Sequence, residues 1–423
     1  MMKSDSLLSQ ILQGLRDMCY ILIKEMRSVV TDEGALIFMV LVPLGYPLLY
    51  SWIYTNEVVH DVPVAVVDYS QSATSREFIR MIDASPDTRV AYFCADMDEA
   101  RQRMAKQDVH GILYFPKNFQ TKLYRGEQAT ASVYCDMSLM LNYKGIYKTA
   151  VAVSSLINSG IQAHNGGGFT NRDDEVTTSP INIEEVPIFN STGGYGNFLI
   201  PAVLILILHQ TMLLGVGLLA GTARENNRYR DLVPVSKHHR GIYRIVMGKG
   251  LCYFLIYMVM AAYVLMVVPQ LFHYDAFEDA FTLFAFMVPY ILDISFFAIM
   301  LSCLVRYREN VLLLVIFTSV PLLFMSGASW PDSNIPGIWQ GLSILFPSTW
   351  GIKCFQRICL ESASLNELGI DYYALWIQTA VYFIGACLVY RYQLIMTREH
   401  AQRNLEEIKS QIRSAIAQVK NKQ

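Results

Sequence analysis

A run of about 20 apolar residues can cross a bilayer only as a helix, because lipid offers its backbone no hydrogen-bond partners. Six such runs punctuate this sequence, approximately Gly34–Tyr54, Gly196–Gly221, Gly250–Phe272, Ala280–Val305, Val311–Ala328 and Tyr373–Tyr390. They predict an α-helical polytopic membrane protein with six transmembrane helices. The first run follows Arg16, Lys24 and Arg27 and has no small-residue cleavage site after it, which predicts a retained signal anchor rather than a removed leader. Hydrophobic residues fill 53% of the 423 positions, too few for a chain held wholly in lipid, so a water-soluble part must accompany the spans. A formal net charge of -2 gives no basic field, and the aromatic residues lie inside apolar runs, so nucleic acid is excluded as a partner.

The soluble part lies between the first two spans. From Asn56 to about Asn190, "VPVAVVD", "TRVAYFC", "VHGILYF" and "TASVYCD" alternate with the helical patterns "TSREFIRMI", "MDEARQRMAKQ" and "KNFQTKLYRG". That βαβ alternation predicts an α/β domain with a partly parallel sheet. A longer helical pattern, Leu139 to His164, leads into the polar, glycine-rich "NGGGFTNRDDEVTTSP" and then an extended run, "INIEEVPIF". Cys94 and Cys135 each end a predicted strand and can form a disulfide if those strands are neighbours. No Cys/His spacing suggests a metal site.

Lysine and arginine resist translocation, so short loops set the orientation. Arg224, Arg228, Arg230, Lys237, Arg240 and Arg244 lie between spans two and three, whereas "HYDAFED" between spans three and four has no cation. Arg306 and Arg308 separate spans four and five, and the tail is basic from Arg391 to Lys422. Both termini are therefore expected in the cytoplasm and the α/β domain outside it. Residues 1–33 form a cytoplasmic amphipathic lead-in helix, with Leu8, Ile11, Leu12, Leu15, Met18, Leu22, Met26 and Val29 at helical spacing; it lies on the inner membrane surface or packs on its own protein. The expected map continues with helix one at 34–55, the extracytoplasmic domain at 56–195, helices two to six within 196–395, and a cytoplasmic tail helix at 396–423. Within it, a cytoplasmic loop spans 222–245 and an outer re-entrant segment spans 329–371.

The chain lacks the GxxxxGK[ST] loop whose amides cradle phosphates, as well as HExxH and GxSxG, so neither ATP hydrolysis nor another hydrolase chemistry is expected of it. What stands out instead are polar residues inside spans. Asp293 near the middle of span four costs about 2.5–3.5 kcal/mol to insert and needs a partner or water. His209 and Gln210 sit at the matching depth of span two, so His209 and Asp293 can meet, either lining a substrate path or fixing helix packing. Gly217 and Gly221 form a GxxxG that permits close approach of a helix from this chain or from a second copy. Beyond span five, "SGASWPDSNIPGIWQGLSILFPSTW" breaks the helix at Pro331, Pro336 and Pro347 and carries Trp330, Trp339 and Trp350, which suit the headgroup level. It predicts a re-entrant turn and short helix at the outer leaflet, acting as a gate or as an interfacial anchor.

Taken in order, several stretches resemble the ABC type-2 transporter permeases, the membrane subunits of ATP-binding-cassette exporters. "IKEMRSVVTDEGALIFMVLVPLGYPLLY" is similar to the family's lead-in helix and first span, "DVPVAVVDYSQSATSREFIRMIDAS" and "VHGILYFPKNFQTKLYRGEQATASVYCD" to its extracytoplasmic domain, and "GTARENNRYRDLVPVSKHHRGIYRIVMGKG" to its cytoplasmic loop. Ser326, Gly327, Pro331, Pro336, Trp339 and Pro347 match its most recognisable pattern. The resemblance implies a bacterial inner-membrane exporter, and the apolar spans with few charges suit hydrophobic or amphipathic substrates better than highly charged ones. A cytoplasmic ATPase dimer would bind ATP and magnesium, and this chain no cofactor. A second permease subunit, identical or related, would complete the path, and the length of the segment between spans one and two leaves room for it to guard the exit, receive the substrate or dock a periplasmic adaptor. In such exporters the loop after span two presses on the ATPase, which here points to Arg224, Glu225, Arg230 and Asp231, although "NNRYRDL" departs from the usual glycine- or threonine-containing segment. The rival reading is a membrane-anchored receptor whose α/β domain senses a ligand.

Overall fold

The computed structural model describes residues 7–55, 59–166, 194–225, 241–274, 279–302, 305 and 307–392. The glycine-rich loop and "INIEEVPIF" (beyond residue 166), Arg230, Asp231 and the tail helix lie outside them. The chain separates into two compact units, Met1–Thr55 with Phe189–Gln423, and Asn56–Ile188.

In the first unit a lead-in helix, α1 (Leu7–Thr31), precedes α2 (Glu33–Ile53). Asp32 separates them and caps α2, its carboxylate accepting from the Ala35 N–H at 3.0 Å. After the second unit follow α7 (Tyr195–Glu225), α8 (Ile242–Leu271), α9 (Ala280–Leu301) and α10 (Arg308–Met325), then α11 (Gly337–Ser343), α12 (Pro347–Leu360) and α13 (Ile370–Tyr392). Helices α2, α7, α8, α9, α10 and α13 are each long and apolar enough to cross a membrane. Pro43 and Pro269 lack an amide hydrogen, and each follows a widened π turn, Ile37–Leu41 and Tyr263–Val267, which absorbs the missing bond without breaking the span.

Helix α7 is the centre of this unit: 89% of its apolar window is covered by the rest of the chain, against 22% for α2, 17% for α10 and 22% for α13. Its GxxxG is used internally. A Cβ added at Gly217 would meet Val311 at 2.6 Å, and one at Gly221 would meet the Arg308 Cα at 2.9 Å, so both glycines let α10 lie against α7.

In the second unit β1 (Val62–Asp68), α3 (Ala73–Asp83), β2 (Thr88–Phe93), α4 (Met97–Ala105), β3 (Gly111–Phe115), α5 (Phe119–Tyr124), β4 (Ser132–Cys135) and α6 (Met140–Gly166) build a four-stranded sheet in the order β2-β1-β3-β4. The β1–β2 and β1–β3 pairs are parallel and β3–β4 is antiparallel. Strand β1 is buried on both faces, which is why it reads as an uninterrupted apolar run. Val62, Val64 and Val66 pack with Phe78, Ile82, Phe115 and Ile146, while Ala65 and Val67 pack with Cys94, Ala100 and Ile112 on the other face. The condition for a Cys94–Cys135 disulfide, neighbouring strands, is not met, and both thiols are free. Their strands form opposite edges of the sheet, three strand spacings or about 14 Å apart, whereas a disulfide needs Cα atoms within about 7 Å.

Candidate functional site

Helix α1 docks along α8 through a stripe in which the buried Ile21 and Val29 alternate with acids. Gly248 leaves room for it: a Cβ there would meet Ile21 and the Met18 carbonyl at 3.0 Å. Around that contact the acids of α1 find cations. Arg244 pairs with Asp17 at 2.9 Å. Lys249 donates to both Glu25 oxygens at 2.7 Å, and Tyr253 adds its hydroxyl at 2.5 Å. At the end of α1, Arg308 of α10 holds Asp32 at 3.0 and 3.2 Å, with Thr222 of α7 donating to the same carboxylate. Glu25 and Lys249 are buried, so this pair is screened little by solvent.

Sequence reasoning passes over these residues. It begins span three at Gly250, which leaves Lys249 outside, whereas α8 starts at Ile242 and buries that lysine. A usable signal exists, since Asp17, Glu25 and Asp32 recur at helical spacing in a sequence whose cations facing them interrupt apolar runs.

Arg224 and Glu225 are engaged within the chain. The Arg224 guanidinium donates to the Val305 carbonyl, and Glu225 accepts the Arg308 N–H at 2.6 Å. The end of α7 is thereby tied to the start of α10.

The intramembrane candidates occupy the junction of α7, α9, α12 and α13. Tyr290 donates to the Ile205 carbonyl at 2.8 Å, and one to two turns further along both helices Phe297 lies against His209, ring centroids 5.5 Å apart. Asp293 falls between those two contacts on α9. His209 and Asp293 do not hydrogen-bond to each other. Both nitrogens of His209, both polar side-chain atoms of Gln210 and both oxygens of Asp293 are buried without a hydrogen-bond partner among the described residues, as are the hydroxyls of Ser348 and Thr349. So dense a group of unsatisfied polar atoms destabilises this packing, at about 1–3 kcal/mol for each group.

The segment after α10 is a helical hairpin. Pro331 precedes a single 3-10 turn, Pro336 precedes α11, and Pro347 occupies the first turn of α12, where a missing N–H costs nothing. Trp339 lies half-exposed on α11. Helix α12 runs antiparallel to α9: Phe346 meets Phe297 at 6.1 Å, Gly351 admits the Tyr290 ring, and Phe355 stacks on Phe286 at 6.3 Å. That register brings Ser348 and Thr349 to the level of Asp293. Gln378 and Tyr382 of α13 donate to the carbonyls of Ile344 and Leu345, so the hairpin apex sits about two to three turns along α13. The hairpin apex therefore lies beside the body of α13 rather than at its first turn.

Residues 34–388 match the model of a family described as ABC-2 family transporter protein. The chain belongs to that family. No curated protein matches it in sequence. As an ABC-2 family member with six apolar helices of spanning length, it is an integral membrane component of an ABC transporter. The match runs from α2 into α13 and so takes in both the polar junction and the hairpin.

Proposed function

We propose that this ABC-2 protein is the permease of a bacterial inner-membrane exporter, moving hydrophobic or amphipathic substrates with energy from a separate cytoplasmic ATPase dimer. Both termini face the cytoplasm in this reading, the α/β unit lies outside, and a second permease subunit completes the path. The observation that carries it is the belt of ion pairs binding α1 to α8 and α10. A push on α1 or on the end of α7 is delivered to those spans as one movement, whereas a helix resting on the membrane by apolar contact would slide. At the other end of the path, the hairpin bearing Pro331, Pro336, Trp339 and Pro347 acts as the outer gate, and its apex closes on Asp293 and His209. Alternating access then requires only that ATP-driven closure favour the arrangement in which the apex is withdrawn. Arg230 and Asp231 join the ATPase contact, and the α/β unit receives substrate or docks a periplasmic adaptor.

The test is reconstitution. The chain should co-purify with an ATPase subunit and support transport of an amphipathic dye in vesicles that stops when that ATPase is inactivated. Transport by the isolated chain, or ligand binding by the α/β unit without any transport, would favour a receptor or another class of carrier.

A further inference from the structure

The junction at the hairpin apex holds a carboxylate and a cluster of aromatic side chains. Asp293 is fully buried, and no cation among the described residues reaches either of its oxygens. Where α1 docks, by contrast, Asp17, Glu25 and Asp32 each meet one. Lys353, one turn beyond Thr349 on α12, is already engaged by Asp332. An ionised carboxylate buried without a counter-charge is among the costliest groups a span can hold. Along α9, Tyr290 lies about one turn before Asp293 and Phe297 about one turn after it, so the three share a face. Phe297 also meets Tyr382 and Phe346, with ring centroids 5.1 and 6.1 Å away. Tyr290 and Tyr382 both lie within electrostatic reach of the carboxylate. Aromatic faces attract cations, most strongly where water is excluded. The Ser348 and Thr349 hydroxyls and the Gln210 amide oxygen, none of them used in a hydrogen bond, add further electron-rich atoms.

We propose that this junction is the recognition site for a hydrophobic organic cation, which enters as the hairpin apex parts from α9 and brings Asp293 the counter-charge that the chain withholds. The inference deepens the permease reading and rests on it for the site's role in transport, narrowing the substrates from amphipathic molecules at large to cationic ones. In the packed arrangement the carboxylate has no partner, and with the apex withdrawn it has the cation, so the ligand favours the open arrangement by that whole interaction. A hydrophobic anion of the same size offers equal apolar surface but meets the carboxylate and the ring faces with like charge.

Tetraphenylphosphonium and tetraphenylborate, ions of nearly the same shape and opposite charge, provide the test on the purified full-length chain in nanodiscs, with uptake by empty nanodiscs subtracted. The wild type should bind the phosphonium in excess and the borate not at all. Asp293→Asn, which keeps the shape and removes the charge, should weaken phosphonium binding roughly tenfold or more, as expected for an opposite charge at close range in a partly desolvated site. Asp293→Glu should retain most of the binding, and Phe297→Leu should weaken it roughly threefold. Asp293→Leu, which removes two unsatisfied oxygens and so should be at least as stable as the wild type, should lose binding as Asp293→Asn does, which excludes misfolding as the cause. Asp279→Asn, which removes an acid from the start of α9, should change nothing. No excess phosphonium binding, equal binding of the two ions, undiminished binding by Asp293→Asn, or an equal loss in Asp279→Asn would overturn the site. Sodium ions displacing the phosphonium where N-methylglucamine does not would also overturn it, by making the site one for a metal ion. Dye transport in the reconstituted system decides the permease reading separately. Transport blind to charge would sink the cation site and leave the permease, whereas charge-selective binding without transport would sink the permease and leave the site.

Discussion

Lys249→Met decides whether α1 is bolted to α8 or merely rests nearby. Lys249 and Glu25 are 5% and 6% exposed, and the ammonium donates to both carboxylate oxygens. Removing the lysine leaves a buried carboxylate whose strongest remaining donor is the Tyr253 hydroxyl. Stranding one member of a buried pair costs about 3–5 kcal/mol. Replacing all three groups, as Glu25→Leu, Lys249→Met and Tyr253→Phe together, removes both charges and the hydroxyl that would otherwise lose its acceptor. The triple variant should lie between neutral and about 4 kcal/mol more stable than the wild type, because the desolvation of both charges is no longer incurred. The single variant, with fewer changes, should therefore be the least stable protein of the set. Denaturant unfolding of the purified chain in nanodiscs measures the order. If Lys249→Met unfolds at the same midpoint as the triple variant, the pair is not buried between α1 and α8, and the mechanical role assigned to α1 fails with it.

Three further outcomes follow from the same geometry. Gly221→Leu should push α10 off α7, since even a Cβ meets the Arg308 backbone; a loss of about 1–3 kcal/mol in unfolding free energy is expected, whereas Gly45→Leu, with open space around it, should be silent. Asp293→Leu should raise the unfolding midpoint, because it removes two unsatisfied buried oxygens, while lowering ATPase-driven transport; a gain in stability with full transport would leave Asp293 no role in the path. Asp279 caps α9 and accepts from the Thr282 hydroxyl and the Phe281 and Thr282 amides, bonds that hold its carboxyl below the usual range. Its stabilisation is complete above the unfolded value near roughly 4 and is lost as pH falls through the lowered folded value, so the thermal midpoints of wild type and Asp279→Asn should differ at neutral pH and converge in acid.

The parts of this fold that are legible in the sequence are those with a local cause. Six spans follow from apolar length, and "VPVAVVD" delimits β1 because a strand buried on both faces cannot alternate. Prolines mark the starts of α11 and α12 because proline at the first turn removes only an N–H that had no partner. Partnerships across the chain leave a weaker trace, since the helical spacing of Asp17, Glu25 and Asp32 marks a charged stripe without naming the cations it meets. Lys249 and Glu25 are 224 residues apart, and nothing near either names the other. The cations Arg244 and Arg308 read as topology signals, and each also holds an acid, Arg244 the Asp17 of α1 and Arg308 the Asp32 that caps α2. The depth shared by His209 and Asp293 is readable by counting along each span, but their failure to hydrogen-bond is not, since a turn of helix rotates a side chain by far more than counting can resolve. Likewise, the composition of the Cys94 and Cys135 strands cannot reveal that two other strands separate them.

The distribution of satisfied and unsatisfied polar groups says where this unit can move. At the end of the spans where α1 docks, Asp17, Glu25 and Asp32 each face a cation, and Arg224, Glu225, Thr222 and Arg308 join α7 to α10. Separating α1 from α8 means stranding the buried Glu25–Lys249 pair, and parting α7 from α10 breaks several charge-assisted hydrogen bonds, so α1, α8 and the adjoining ends of α7 and α10 are expected to move together. At the hairpin apex the opposite holds, because the side chains of His209, Gln210, Asp293, Ser348 and Thr349 carry polar atoms with no hydrogen bond there to break. Withdrawing the apex would bring those groups to water and relieve their desolvation, which offsets part of the cost of parting Phe346 from Phe297 and Phe355 from Phe286. A wall with satisfied polar groups would resist opening by the full sum of its bonds. Against α9 the apex is held by aromatic packing, and its hydrogen bonds run instead to α13, from Gln378 and Tyr382, so in the proposed cycle a displacement from the ion-paired end parts the junction of α7, α9 and α12 with the hairpin still tied to α13.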